Sequence, residues 1–206
     1  MFMGTSVQYI KPTKRHMFGT LWEPLDENAF VQHGGSSNCL VLRQGDKALV
    51  VNSGQAGPAQ KMLEELKRLG VRQVENLIAT SLFQDFVNGW EKLAPAQVLV
   101  GAYPVDRLRE YFGERCLSIA EPKIIEWGLE KVEIVPLAPG FSTRDLAVFL
   151  HRRKILILGG MFYNRIHPVI HPGLGFDVDS WVRQLGELVG RFKPDRILPA
   201  EGDWGK

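Results

Sequence analysis

Five short loops, each marked by glycine or proline and each following a strand-like apolar run, constrain this chain more than any other feature. They read Val51-Asn52-Ser53-Gly54, residues 80–89, Pro139-Gly140-Phe141-Ser142, Leu158-Gly159-Gly160-Met161 and Leu198-Pro199-Ala200-Glu201-Gly202. Loops of this kind lie beyond strand ends, where an open α/β sheet gathers its ligands.

The segments between the loops supply the strands and helices. Strands are expected at residues 19–22, 29–32, 39–43 and 48–52, the last two forming a hairpin about Gln44-Gly45-Asp46-Lys47. Pro58 opens a helix in which Met62, Leu63, Leu66 and Leu69 recur at helical spacing, and Gly70 stops it. A strand at 74–79, a helical segment at 86–93, a strand at 97–101 and a helix at 105–111 follow. Strands return at 124–127, 132–136, 145–151 and 154–158. A helix at 178–192, with Trp181, Leu185, Leu188 and Val189 on one side, precedes a closing strand at 196–198. This order predicts two similar halves, each a sheet covered by helices on one face. No repeat, low-complexity stretch or charged linker interrupts it, so residues 1–206 are expected to form one domain.

In order and separation the loops resemble those of the metallo-β-lactamase superfamily, over about residues 37–202. The resemblance implies an α/β fold of the αββα sandwich type, with two mixed β-sheets packed face to face and helices on the outer faces. Members of that family bind metals with a Thr-His-x-His-x-Asp-His loop, a Pro-Gly-His-Thr turn, a Gly-Asp at a strand end and a closing Pro-Gly-His-Gly. Here Thr80 and the downstream Gly89 remain, but Ser81, Phe83 and Phe86 stand at the histidine positions, and Asp85 alone survives as a ligand type. Phe141 replaces the histidine of the turn, Gly160 the bridging aspartate, and Glu201 the last histidine. The aspartate of the family's Asp-Thr-Gly turn is Asn52.

A catalytic zinc takes about three protein ligands with lone pairs, and a two-metal site needs about twice that number. Phenylalanine offers none. Asp85 and Glu201 would hold at most a weak, mostly hydrated Mg²⁺ or Ca²⁺, and neither zinc nor iron is expected. The chain therefore reads as a non-hydrolytic relative, a pseudoenzyme acting as a small-molecule-binding or protein-interaction module. Its cleft would be plugged by Phe83, Phe86 and Phe141, or reshaped as an aromatic-lined pocket that favours a cationic or neutral ligand. The alternative is a hydrolase with a rebuilt metal site that draws on Asp85, Glu201, His167 and His171. The two histidines are four residues apart, but Pro168 and Pro172 forbid the regular helix that would align them, and Asp177 and Asp179 follow nearby.

Other polar residues have simpler readings. Asp85 is expected to cap the helix starting near Phe86 rather than act as an acid or base. Glu201 stays open between the two roles. Ser81 would have only Asp85 as a base, with no histidine to complete a triad. His16, His33 and His151 read as surface or hydrogen-bonded core residues. A scaffold or dimer role would rest on Trp90, Trp127 and Trp204, if these are exposed.

Composition removes several classes. A net charge of +2 over mixed-sign segments gives no basic stripe, so no nucleic-acid partner is expected. No apolar run approaches the roughly 20 residues of a membrane helix. The start of the chain, with Tyr9, Lys11, Lys14, Arg15 and His16, has no apolar signal core, which points to the cytoplasm, where Cys39 and Cys116 would remain thiols with no assigned role.

Overall fold

The computed structural model describes residues 20–168 and 176–205. Gly19, His16 and His171 lie outside them. Four strands open the chain: β1 (Leu21–Asp26), β2 (Ala29–His33), β3 (Cys39–Gln44) and β4 (Lys47–Val51). Helix α1 (Ala56–Arg68), strand β5 (Gln73–Ile78), the short helices α2 (Gln84–Val87) and α3 (Trp90–Leu93), strand β6 (Gln97–Gly101), helix α4 (Val105–Phe112) and strand β7 (Cys116–Ile119) follow. The rest comprises β8 (Lys123–Trp127), β9 (Glu130–Pro136), β10 (Leu146–Leu150), β11 (Ile155–Gly159), α5 (Val178–Phe192) and β12 (Arg196–Pro199).

The strands form a seven-stranded sheet in the order β1 to β7 and a five-stranded sheet in the order β12-β11-β10-β9-β8. Both are mixed. The hairpin β3–β4 turns through Gly45 and Asp46, with Gln44 paired to Lys47 and Gly45 at a φ of 62°. Parallel pairing of β4 with β5 and of β11 with β12 requires crossovers, which α1 and α5 supply.

Side chains alternate along the strands and so sort into three apolar layers. Leu146, Val148 and Leu150 of β10 and Ile155 and Ile157 of β11 face the space between the sheets, where they meet Leu40, Leu42, Leu49 and Val51. Ala147, Phe149, Leu156 and Leu158 face outward and pack with Trp181 and Leu188 of α5. On the far face of the larger sheet, Val41 and Val50 pack with Ala59, Met62 and Leu66 of α1 and with Leu108 and Phe112 of α4. The architecture is the expected αββα sandwich.

Several details differ from the sequence expectation, among them β1, which runs to Asp26 rather than ending at residue 22. The segment at 86–93 is two helices, because the Gly89 N–H turns aside to donate to the Gly54 carbonyl at 2.8 Å and the Ser53 hydroxyl at 3.1 Å. Strand β7 was hidden by its length of four residues and its edge position. Val189 of α5 is exposed; it follows Leu188 by one residue, which turns it about 100° away from the buried stripe. Trp127 is buried between the sheets, while Trp90 and Trp204 are half-buried, so these indoles form no exposed aromatic surface. Both cysteines are free thiols, Cys39 buried and Cys116 half-buried. No helix among the described residues is long and apolar enough to cross a membrane.

Candidate functional site

All five loops meet at one end of the sandwich, and hydrogen bonds show how each is set. Asn52 follows β4 in the left-handed region, with φ at 61°, a conformation that asparagine tolerates better than most residues. Its N–H donates to the Ile78 carbonyl at 2.9 Å, and its Oδ1 accepts from the N–H and the hydroxyl of Thr80 at 3.0 and 2.9 Å. Its Nδ2 is buried and has no hydrogen-bond partner among the described residues. Thr80 in turn stands against Gly159, whose φ of 51° and close approach to the threonine both suit glycine. The last loop is fixed by Asn38, which sequence reasoning passed over. Its N–H donates to the Ala200 carbonyl at 2.7 Å, and its Nδ2 to the carbonyls of Pro199 and Gly202 at 3.1 and 3.0 Å.

One wall of the site is aromatic. Phe141 is 4% exposed and Phe86 3%. Phe83 is half-buried and meets Phe141 edge to face, with ring centroids 5.3 Å apart. Gly160 lies directly against the Phe141 ring, so a Cβ at position 160 would lie closer than 3.0 Å to three ring carbons.

The same end of the sandwich carries acids. Asp85 lies within the first turn of α2, whose N-cap is Phe83 and has no side-chain cap bond, so the expected capping role is corrected. The helix begins two residues earlier than the sequence suggested, and the Asp85 carboxylate instead accepts from Gln55 Nε2 at 3.0 Å. Glu201 is half-buried; burial, with the Asp85 charge adding to it, pushes its carboxyl up to about 7. Tyr163 is also mostly buried, and its hydroxyl is pushed up by burial and then by the charges of Glu201, Asp85 and Asp145. Acids from three loops thus lie near enough to Tyr163 for their charges to act on its phenol. Among the described residues, neither Asp85 nor Glu201 has a salt bridge.

Asp145, read from sequence only as part of a strand, is the buried acid of the site. Burial raises its pKa, and hydrogen bonds from Ser142 and Ser81 counter this. The Ser142 hydroxyl donates at 2.6 Å and its N–H at 2.8 Å. The Ser-x-x-Asp spacing after Pro139-Gly140 was the available signal. Ser81 is therefore engaged with Asp145 rather than with Asp85, and no histidine stands among its recorded partners.

The histidines do not converge here. His33 is bonded to Glu23 at 2.6 Å and to Asn38 at 3.2 Å, and His151 to Glu133 at 2.8 Å, as expected of satisfied residues. His167 is exposed. Among the described residues, no group of three or more His, Cys, Asp and Glu is placed to hold a metal ion. The donor set does not fit a zinc pair: rings occupy three of the five positions where the resemblance calls for imidazoles, Ser81 and Glu201 hold the other two, and Phe141 covers the position where it calls for a bridging carboxylate.

Comparison with solved structures places this architecture. A metallo-β-lactamase from Pontibacter korlensis superposes with a TM-score of 0.77 at 16% identity, over 91% of this chain and 94% of that one. The DIM-1 metallo-β-lactamase superposes at 0.74 with 18% identity, over 91% of each chain. VMB-1 does so at 0.72 with 13% identity, over 94% of this chain and 93% of that one. No protein-family model and no curated protein matches the sequence.

Proposed function

We propose that this chain, which has the metallo-β-lactamase fold, uses its cleft to bind a small cationic or neutral molecule and does so without a metal pair. The observation that carries the reading is the clustering of apolar rings and carboxylates at the loop end. Phe83, Phe86 and Phe141 fill donor positions with apolar rings, while Asp85 acts electrostatically on Glu201 and neither acid has a salt bridge among the described residues. A transition metal needs lone pairs that the rings do not have. An organic cation needs a negative charge and a π-face, and both are present. Tyr163, whose phenol feels the charges of both acids, adds a hydroxyl that can orient a ligand carrying a hydrogen-bond acceptor or donor.

Binding of a cation favours the ionised form of Glu201 over the protonated one. Affinity therefore rises as pH climbs through about 7, where the carboxyl titrates in the free protein, and levels off above it. Calorimetric titration with butylammonium and butyrate, matched in size and opposite in charge, tests this at pH 6 and pH 8. The reading requires tighter binding of the ammonium, most of all at pH 8. Tighter binding of the carboxylate at both pH values would overturn it.

A further inference from the structure

Loops that leave a sheet give up its hydrogen-bonded ladder, and something else must hold them to one another. Where donors are present, a metal can be that tie, because ligand bonds from several loops converge on one ion. Here one side chain makes the convergent contacts. The Phe141 ring lies 5.3 Å by centroid from Phe83, 6.0 Å from Tyr163, 5.4 Å from Phe176 and 5.7 Å from Trp181. These residues belong to the segment before α2, the loop after β11, the approach to α5 and α5 itself. The Trp181 indole is fixed in its turn, with its N–H donating to the Met161 carbonyl at 2.6 Å. The ring is thus enclosed on several sides and pressed onto the Gly160 backbone, with no space at position 160 for a Cβ.

We propose that Phe141 is the tie of the cleft and that Phe141 and Gly160 are a matched pair. The buried ring requires a bare glycine beneath it, and any side chain at 160, a carboxylate included, displaces the ring. Because four aromatic neighbours enclose it, the ring cannot swing aside at low cost, as the end of a flexible side chain would. The two positions therefore cannot change singly without loss. The pairing rests on the reading that the rings, not metals, organise this end of the molecule.

A double-mutant cycle in urea, without ligand or added metal, tests the pair. Gly160→Ala alone should raise the unfolding equilibrium constant roughly tenfold or more, as overpacking does. Phe141→Ala alone should also raise it, and should speed limited proteolysis within residues 80–89 and 159–164. In the Phe141→Ala background, adding Gly160→Ala should cost little, because the methyl enters vacated space. A folded double variant beside an unfolded Gly160→Ala chain counts as the same rescue. An unchanged Gly160→Ala midpoint, additive effects, or a double variant that fails to fold would each overturn the pair. A strongly coupled cycle in a chain that binds anions would sink the cationic reading alone, and an additive cycle in a cation-binding chain would sink the matched pair alone.

Discussion

The two ends of the sandwich treat buried acids in opposite ways. At the end away from the cleft, Glu130 is 3% exposed and accepts from Arg153 at 2.6 Å and from the Arg152 N–H at 2.8 Å. Arg153 also bridges to Asp26 at 2.6 Å. Glu133, 7% exposed, is paired with Arg191 and with His151. At the cleft end, Asp145 is 2% exposed and Glu201 half-buried, neither has an arginine or lysine paired to it among the described residues, and burial raises the pKa of both. A paired buried acid acts as a strut, since removing its partner strands a charge. An unpaired one weakens the fold whenever it ionises, and such groups gather where a protein binds or reacts.

The contrast can be broken by mutation, and the largest effect belongs to the strut end. Arg153→Ala leaves Glu130 buried without its guanidinium and should cost about 3 kcal/mol of unfolding free energy. Chemical denaturation measures it, and a loss below about 1 kcal/mol would mean that Glu130 does not depend on the pair.

Glu201→Gln should act in the opposite direction. The folded carboxyl titrates near 7, above its ordinary value of 4.5, so the native state holds more protons than the unfolded chain between these values. Stability supplied by the protonated form is thus present below about 4.5 and is lost as pH rises through about 7. A glutamine cannot ionise, so the variant should match the wild type at pH 4 and exceed it at pH 8 by roughly 1 to 3 kcal/mol. Equal stability at pH 8 would place the Glu201 carboxylate in water rather than in the site.

The smallest effect is expected of His151→Ala. Glu133 keeps Arg191, and the histidine is one-third exposed, so the loss should stay within about 1 kcal/mol. A larger loss would make the histidine, not the arginine, the partner that matters.

Much of the sandwich was legible in the sequence because β10 and β11 are short continuous apolar runs bounded by turns, although nothing in the runs says that Leu146, Val148 and Leu150 face one layer and Ala147 and Phe149 the other. The hairpin was legible through Gly45 and α5 through its amphipathic face, whereas Asp177, read only as an acid near the two histidines, proves to be the α5 cap, its Oδ1 accepting from Ser180 N–H at 2.9 Å. Strand β7 was not, since four residues carry too little pattern. Within the site, the five loops and the residues at their tips were readable as motifs, and Asp85, Phe83 and Phe141 do come together there. Pairings between distant loops were not readable. The hold of Asn38 on residues 199–202 spans more than 160 positions, and Ser81 bonds to Asp145, which immediately precedes β10. The fit of Phe141 over Gly160 depends on three-dimensional distance, which no local spacing encodes.

The central claim is that rings and unpaired carboxylates, not metal ligands, make this cleft. Elemental analysis of protein purified without chelators addresses it most directly. The account predicts zinc, iron and manganese well below one atom per chain. Tightly held metal at one or two atoms per chain, retained through dialysis and lost on mutation of Asp85 and Glu201, would contradict it.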